Sequence, residues 1–352
     1  MPEFWVRPGY KVTLVAQNLR NARFMKFDDQ GNLFLSRPDR GDILRLRKNG
    51  DKYDVVDTFV SGYRTVHGMD YADGYLWFTQ SGTVHKVKDN SGKAGTVEDV
   101  LTGLPEGGHW WRSILVTKDG FFTSIGDESN IHDMRNSDRE KIWKYSPDGK
   151  TRKLWSSGIR NTEKLLYRPG TDDLYGCDQG SDWFGAPVGD KEGHQPVTNQ
   201  YPPDEFNRYV EGGFYGHPFL VGDNVVRYEF MNNPDIQKLA EVAIPPVWAF
   251  GPHWAADGWT FATKTTLGSD FPGDAVVGIH GSWNRTVRSG YRVERVCFDK
   301  ATGIPYGSLT LVGLLGKDGR VLGRPVDIAE ESDGNLLFSD DQTNRIYRIS
   351  KG

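Results

Sequence analysis

The 352-residue chain is poor in cysteine, with only Cys177 and Cys297. It contains no CxxC or CxxCH, which excludes cysteine-based zinc and iron–sulfur centres and covalent c-type haem. Whether the two thiols bond each other is open; two buried free thiols is the simpler reading. Excess positive charge is also missing. There are 43 Lys+Arg against 47 Asp+Glu, a formal net charge of −4. A nucleic-acid binder needs a basic face to displace counterions, and a membrane-surface protein needs a polybasic patch. No apolar run approaches the roughly 18–20 residues of a spanning helix. The opening residues, MPEFWVRPGYK, hold no apolar h-region of a secretory signal. No GxGxxG follows a strand, and Walker, HExxH and GxSxG motifs do not occur. Dinucleotide folds, P-loop enzymes, zincins and the usual serine hydrolases are therefore set aside.

What the chain does have is glycine and aromatics, with 42 Gly, 11 Trp, 15 Tyr and 18 Phe. That mixture favours β structure. An Asp–Gly-type phrase between apolar residues recurs six times. It reads FDDQGNLFL at 27–35, YADGYLWFT at 71–79 and VTKDGFFTS at 116–124. It returns as YRPGTDDLYG at 167–176, FPGDAVVGI at 271–279 and EESDGNLLFS at 330–339. Each reads as strand, tight turn, strand, because glycine tolerates the positive φ that primed hairpin turns demand. A third, alternating strand follows most of them, as in DILRLRK at 42–48, TVHKVKD at 83–89, KIWKYSP at 141–147, YRVERVCFD at 291–299 and NRIYRIS at 344–350. Six units over 352 residues are about 59 residues each, the size of a four-stranded propeller blade with its loops. The reading is an all-β, six-bladed β-propeller of four-stranded blades, a single domain over residues 1–352. A two-sheet sandwich is the alternative, but it would not explain six phrases. The segment YKVTLVA at 10–16 is expected to close the ring beside the last blade. The stretch 183–207, rich in Gly, Pro and Asp, is expected to be a loop insertion.

Propellers carry function on loops around one mouth. Four loop segments are dense in Arg, His, Trp and Gly. EGGHWWRS at 106–113 offers His109 as a general base, against a structural histidine. GIRNT at 158–162 offers Arg160 for an anion or a developing oxyanion, against an ordinary surface arginine. CDQGSDW at 177–183 supplies hard oxygen donors of the kind Ca²⁺ takes, without the EF-hand spacing; a plain turn is the other reading. HGSWNR at 280–285 follows the apolar strand AVVGI, and its N-x-T sequon is accidental if the loop lies in a pocket.

In this order and spacing, these segments resemble the soluble quinoprotein sugar dehydrogenases. That group includes glucose, aldose sugar, sorbosone and fungal pyranose dehydrogenases. The resemblance covers residues 10–350 and rests on GGHWWR…DGFFTSIGD, GIRN, DQGSD with EGGFYGHP, HGSWNR with GYRVERV, and GRPVDIAEESDGNLLFSDD. The HGSWNR and GYRV pair looks closest to the sorbosone and pyranose branch. The resemblance implies pyrroloquinoline quinone (PQQ) held by Ca²⁺ at the channel mouth, and oxidation of an aldose or pyranose at the anomeric carbon. His109 would be the catalytic base, and Arg160 would stabilise the quinone oxyanion. Arg160, Asn161, Trp283, Asn284, Arg324, Arg37 and His253 would contact the cofactor. Gly180 and Ser181 would offer carbonyls to Ca²⁺, with Asp182 adding a carboxylate by our own inference.

The family carries a second arginine where this chain has Val326, with Arg37 as the candidate replacement. It also has a proline where Ser181 stands, and a pocket glutamine near blade two that has no match around His67. The resemblance further implies an extracellular or periplasmic location. It implies an external electron acceptor such as a cytochrome, or a fused haem domain in a longer natural chain. A Ca²⁺-dependent propeller lactonase and a non-catalytic sugar-binding propeller are the alternatives.

Overall fold

Five of the six Asp–Gly phrases build a hairpin, and the fifth, at 271–279, instead supplies only the strand Ala275–Ile279, which pairs with Ala256–Phe261 across residues 262–274. In the second one, Asp73 and Gly74 both take positive φ, 53° and 76°, between strands Met69–Ala72 and Tyr75–Thr79. That is the two-residue turn whose twist matches flanking strands. The computed structural model describes residues 3–186 and 196–352.

Six antiparallel sheets follow one another along the chain. Blade I comprises Met25–Phe27, Leu33–Arg37, Asp42–Asn49 and Lys52–Ser61. Blade II comprises Met69–Ala72, Tyr75–Thr79, Thr83–Asp89 and Ala94–Thr102. Blade III comprises Leu115–Thr117, Gly120–Ile125, Lys141–Tyr145 and Arg152–Ser157, with Gly213–Phe214 added in parallel at its edge. Blade IV comprises Thr162–Tyr167, Leu174–Asp178, Pro203–Tyr209 and Trp248–Pro252. Blade V comprises Ala256–Phe261, Ala275–Ile279, Arg292–Phe298 and Pro305–Gly313, edged by Trp5–Val6. Blade VI comprises Pro325–Glu330, Leu336–Asp340 and Arg345–Lys351, completed by Tyr10–Ala16. The first strand of each blade touches the first strand of the next, and blade VI returns to blade I. The ring is therefore closed by the N-terminal strand, which removes a free edge between the chain's two ends.

The core sits between the blades. One buried apolar cluster fills each of the six junctions. Trp259 is fully buried between blades IV and V and donates its indole N–H to the Lys164 carbonyl at 3.1 Å. Near the axis the strands pack tightly. A Cβ on Gly278 would lie 2.6 Å from the Val326 carbonyl oxygen. Val326 itself is fully buried in the cluster between blades I and II, so it is a packing residue. Cys177 and Cys297 are both buried and unbonded.

The expected loop at 183–207 is corrected in part. Pro203–Tyr209 is the third strand of blade IV, paired on both sides. Its sequence, PDEFNRY, hides the strand because polar Asp204, Glu205 and Asn207 are buried alongside Phe206 and Tyr209, so no polar–apolar alternation shows. Asp204 accepts the Gly180 N–H at 2.8 Å, and Glu205 accepts the Gly222 N–H at 2.7 Å. Residues 187–195 of that stretch lie outside the described residues. A second excursion, residues 210–247, carries its own small apolar cluster around Phe219 and Leu220. No helix among the described residues is long and apolar enough to cross a membrane.

Candidate active site

Loops from the outer strand of one blade to the inner strand of the next open at the same mouth as those leaving second strands. His109 lies between blades II and III, Arg160 and Asn161 between III and IV, and His253 between IV and V. Gln179–Asp182 follow the second strand of blade IV, and His280–Asn284 the second strand of blade V. These loops converge on a cavity of about 270 Å³. It is walled by His109, Trp111, Arg160, Asn161, Gln179, Gly180, Asp182, Asp204, His253, Trp283 and Asn284, with Ala255 and Gly281.

Local chemistry fixes each wall. The His109 N–H reaches the Asp127 carbonyl at 2.9 Å, and its ring Nδ1 lies 3.1 Å from the same oxygen. A backbone carbonyl only accepts, so Nδ1 carries the proton and Nε2 keeps its lone pair for the cavity. Burial, with the neighbouring Arg160 charge, lowers the His109 pKa to about 3. The ring is neutral at physiological pH. Gly126 lets this happen: a Cβ there would sit 2.8 Å from His109 Cβ and 2.5 Å from the Arg160 carbonyl.

Arg160 is 4% exposed and its guanidinium is almost fully used. Nε and Nη2 donate to the carbonyl and side-chain oxygens of Asn130, both at 2.9 Å, and Nη1 donates to the Gly180 carbonyl at 2.8 Å. The buried Asp178 carboxylate pins the backbone here, accepting the N–H groups of Arg160 at 2.8 Å and Asn161 at 2.6 Å. Burial pushes Asp178 up to about 6 and Asp204 up to about 7. The Asp182 carboxylate lies 3.7 Å from Arg160 Nη2. The Gly180 carbonyl and the Asp182 and Asp204 carboxylates are hard oxygens of the calcium-binding kind. Asn161 Oδ1, on the same wall, is buried with no hydrogen-bond partner, so the wall holds an open acceptor for a polar guest. At the rim, Trp283 is 73% exposed and offers a bare aromatic face. Asn284 donates to the Asp182 carbonyl, which ties the HGSWNR loop to the DQGSD loop and ties up the sequon asparagine.

Four expected site residues stand apart from this wall or are committed elsewhere. Arg37 is paired bidentately with Asp42 at 2.7 and 2.6 Å and does not line the cavity. The two residues are directly opposite across neighbouring strands of blade I, so the pair is local. Arg324 stands behind the wall, donating to the His280 carbonyl at 3.1 Å and the Gly281 carbonyl at 3.2 Å. Ser181 is buried, its hydroxyl held between Arg227 and the Trp183 carbonyl. His253 lines the cavity, but its Nε2 bonds the Thr198 carbonyl at 2.7 Å, so it anchors a loop.

Sequence reading missed Trp111, Gln179 and Asp204. The first two lay inside segments already singled out; Asp204 had no signal. Beneath the wall runs a buried charged network. Arg23 meets Asp341 at 2.8 Å and Asp257 at 3.1 Å, Gln179 reaches Asp257 at 2.6 Å, and His67 approaches Glu163 at 3.2 Å. Trp111 stacks on Trp110 and lies under the Arg23 guanidinium, 4.5 Å from its ring centre.

A family model described as TrAA12-like matches residues 4–352. An uncharacterized protein of Borreliella burgdorferi is 27% identical over 362 residues, covering 97% of this chain and 89% of that protein. The iodide structure of a Trichoderma reesei carbohydrate-active enzyme of family AA12 superposes with a TM-score of 0.83 at 19% identity, covering 100% of this chain and 98% of that one. The holo pyranose dehydrogenase PQQ domain of Coprinopsis cinerea gives 0.83 at 17% identity, covering 99% and 97%. The apo soluble aldose sugar dehydrogenase of Escherichia coli gives 0.68 at 16% identity, covering 97% and 100%. At these identities the structures share a fold with this chain.

Proposed function

Because the chain belongs to the TrAA12-like family, we propose that it is a quinoprotein oxidoreductase oxidising an aldose or pyranose at the anomeric carbon. The observation that carries this reading is His109, neutral, with Nδ1 spent on a backbone carbonyl and Nε2 left to a cavity it shares with Arg160. The donor set fits PQQ and Ca²⁺. Gly180 and Ser181 by their backbone carbonyls and Asp182 by its carboxylate would hold the ion, and Arg160, Asn161, Trp283 and Asn284 would hold the cofactor. Arg324 and His253 would act through the loops they brace, and Arg37 is left out because Asp42 occupies it. When bound, PQQ supplies a two-electron hydride acceptor, and Ca²⁺ polarises its quinone oxygens.

The chain's own residues do the rest. His109 Nε2 takes the proton of the anomeric hydroxyl as the C–H bond beside it breaks, and the sugar leaves as a lactone. The Arg160 guanidinium, preorganised by Asn130 and Gly180, meets negative charge as it develops. The Trp283 face and Trp111 bound the cavity with apolar surface on which a ring can lie. Electrons would then pass to an acceptor outside this propeller, such as a cytochrome or a fused haem domain in a longer natural chain. The related structures that carry PQQ or sugar-dehydrogenase names support this reading, as does their shared fold.

The test is to supply Ca²⁺ and PQQ to the cofactor-free chain and follow dye reduction across a panel of aldoses and pyranoses. Sugar-dependent bleaching is expected, and His109→Ala should abolish it while PQQ binding persists. Failure to bind PQQ with Ca²⁺ in excess overturns the proposal.

A further inference from the structure

Behind His109, three side chains from separate segments meet at one buried spot. Asp127 follows the second strand of blade III, Glu140 precedes its third strand, and His217 comes from the excursion of blade IV. One ligand atom from each lies within 4.8 Å of the others, and no other such group occurs among the described residues. His217 Nε2 is 2.7 Å from Asp127 Oδ2 and 3.7 Å from Glu140 Oε1. All three residues are buried, at 0%, 2% and 6% exposure for Asp127, Glu140 and His217.

Glu140 Oε1 has no hydrogen-bond partner. An unpaired carboxylate oxygen in such a place is costly. Its 3.7 Å spacing to the ring nitrogen is too long for a hydrogen bond. It is close to the separation of two ligands on one tetrahedral ion, about 3.4 Å for bonds of about 2.1 Å, whereas the 2.7 Å contact between His217 and Asp127 is a hydrogen bond that the ion would replace as the two side chains part. The other carboxylate oxygens are steadied by backbone donors, Ser129 on Asp127 Oδ1 and Met134 on Glu140 Oε2, while His132 donates at 3.0 Å to Asp127 Oδ2, the oxygen that faces His217. This is the outer support that ligating carboxylates commonly have. Lys141, next in sequence, spends its ammonium on the carbonyls of Met134, Arg135, Ser137 and Arg139. Glu140 is also held at φ 59°, an uncommon conformation for a residue with a side chain.

The geometry points to a binding site for a first-row divalent cation, formed by Asp127, Glu140 and His217. Two carboxylates and one imidazole give an O₂N set that suits zinc or manganese better than calcium. The ion would cancel the two buried negative charges. It would also clamp the blade III loop to the blade IV excursion. Asp127 is the residue whose carbonyl receives both the N–H and the Nδ1–H of His109. The cation is thus a fastening behind the base, distinct from the oxygen donors at Gly180–Asp182, and it does not depend on the quinoprotein reading.

The test uses the full chain stripped with chelator and held in excess Ca²⁺ so that the oxygen site is satisfied. Zn²⁺ and Mn²⁺ are then titrated separately, with bound metal counted by elemental analysis after dialysis. Wild type should retain about one equivalent of one of them and melt at a higher temperature when loaded. Glu140→Gln, which keeps shape and removes charge, should bind it at least about tenfold more weakly, and its melting temperature should not respond to metal. His217→Phe should behave likewise where it folds. A wild-type chain that retains neither ion, or a folded Glu140→Gln that retains it as well as wild type, overturns the site.

Discussion

Acid is the perturbation that best tests how the fold sets up His109. Burial first, and Arg160 second, hold its pKa down to about 3. At pH 5 the ring would then be protonated in about 1% of molecules, whereas an ordinary histidine with pKa about 6.5 would be protonated in about 97%. If kcat/KM follows the neutral base, it should change by only a few per cent between pH 7 and pH 5. An unperturbed histidine would give a fall of about 25-fold. The measurement needs no cofactor. The ring signal of His109, assigned by its loss in His109→Asn, should keep its neutral shift in NMR spectra down to about pH 4.5.

Stability should move with it. The native pKa lies below the unfolded one, so the unfolded chain binds more protons between them. The contribution is whole above pH 6.5 and is lost as pH falls toward 3. At up to about 1.4 kcal/mol per unit, acidification from pH 6.5 to 4.5 costs about 2 kcal/mol through this residue, and His109→Asn should remove that part of the slope. A His109 signal titrating with a midpoint near 6 would refute the argument, because it requires a solvated ring without Arg160 beside it.

Arg160→Lys should lower the melting temperature and weaken PQQ binding together, since one ammonium cannot satisfy Asn130 and Gly180 at once. Each buried carbonyl left unpaired costs about 1–3 kcal/mol, read by denaturant unfolding. Arg37→Ala should destabilise by about 3 kcal/mol by stranding Asp42, yet leave PQQ affinity unchanged in a direct titration. Gly278→Ala should cost about 1–3 kcal/mol, because its Cβ meets the Val326 backbone, and retained stability would show that blades V and VI can separate. Trp259→Ala should cost about 3–5 kcal/mol in the same assay, from the cavity and the lost bond to Lys164.

The propeller was legible because its signals are local. A turn such as Asp73–Gly74 and the alternation of the strand after it are written within about 20 residues, and they recur six times. Ring closure by residues 10–16 was legible for the same reason: an apolar alternating strand without a local partner must pair with the far end of the chain. The loop segments holding His109, Arg160 and Asn161, Gly180 and Asp182, and Trp283 and Asn284 were also visible, because dense Arg, His and Trp are unusual in turns. That they share one cavity follows from blade topology, which brings equivalent loops to one mouth.

Sequence by itself thus determined the period, the hairpins and the chemistry-bearing loops. Tertiary structure alone decided which side chains are free to act. Arg37 and Arg324 read alike as cofactor clamps, but Asp42 consumes one and the Gly281 carbonyl helps retain the other behind the wall. PDEFN, the end of the 183–207 stretch, read as loop, because the partners that make its buried Asp204 and Glu205 tolerable are backbone donors at Gly180 and Gly222. The Asp127–Glu140–His217 cluster joins residues 90 positions apart in the chain. The pKa of His109 depends on burial and on a charge 51 residues away. Desolvation and pairing act through space, and only the folded chain fixes those distances.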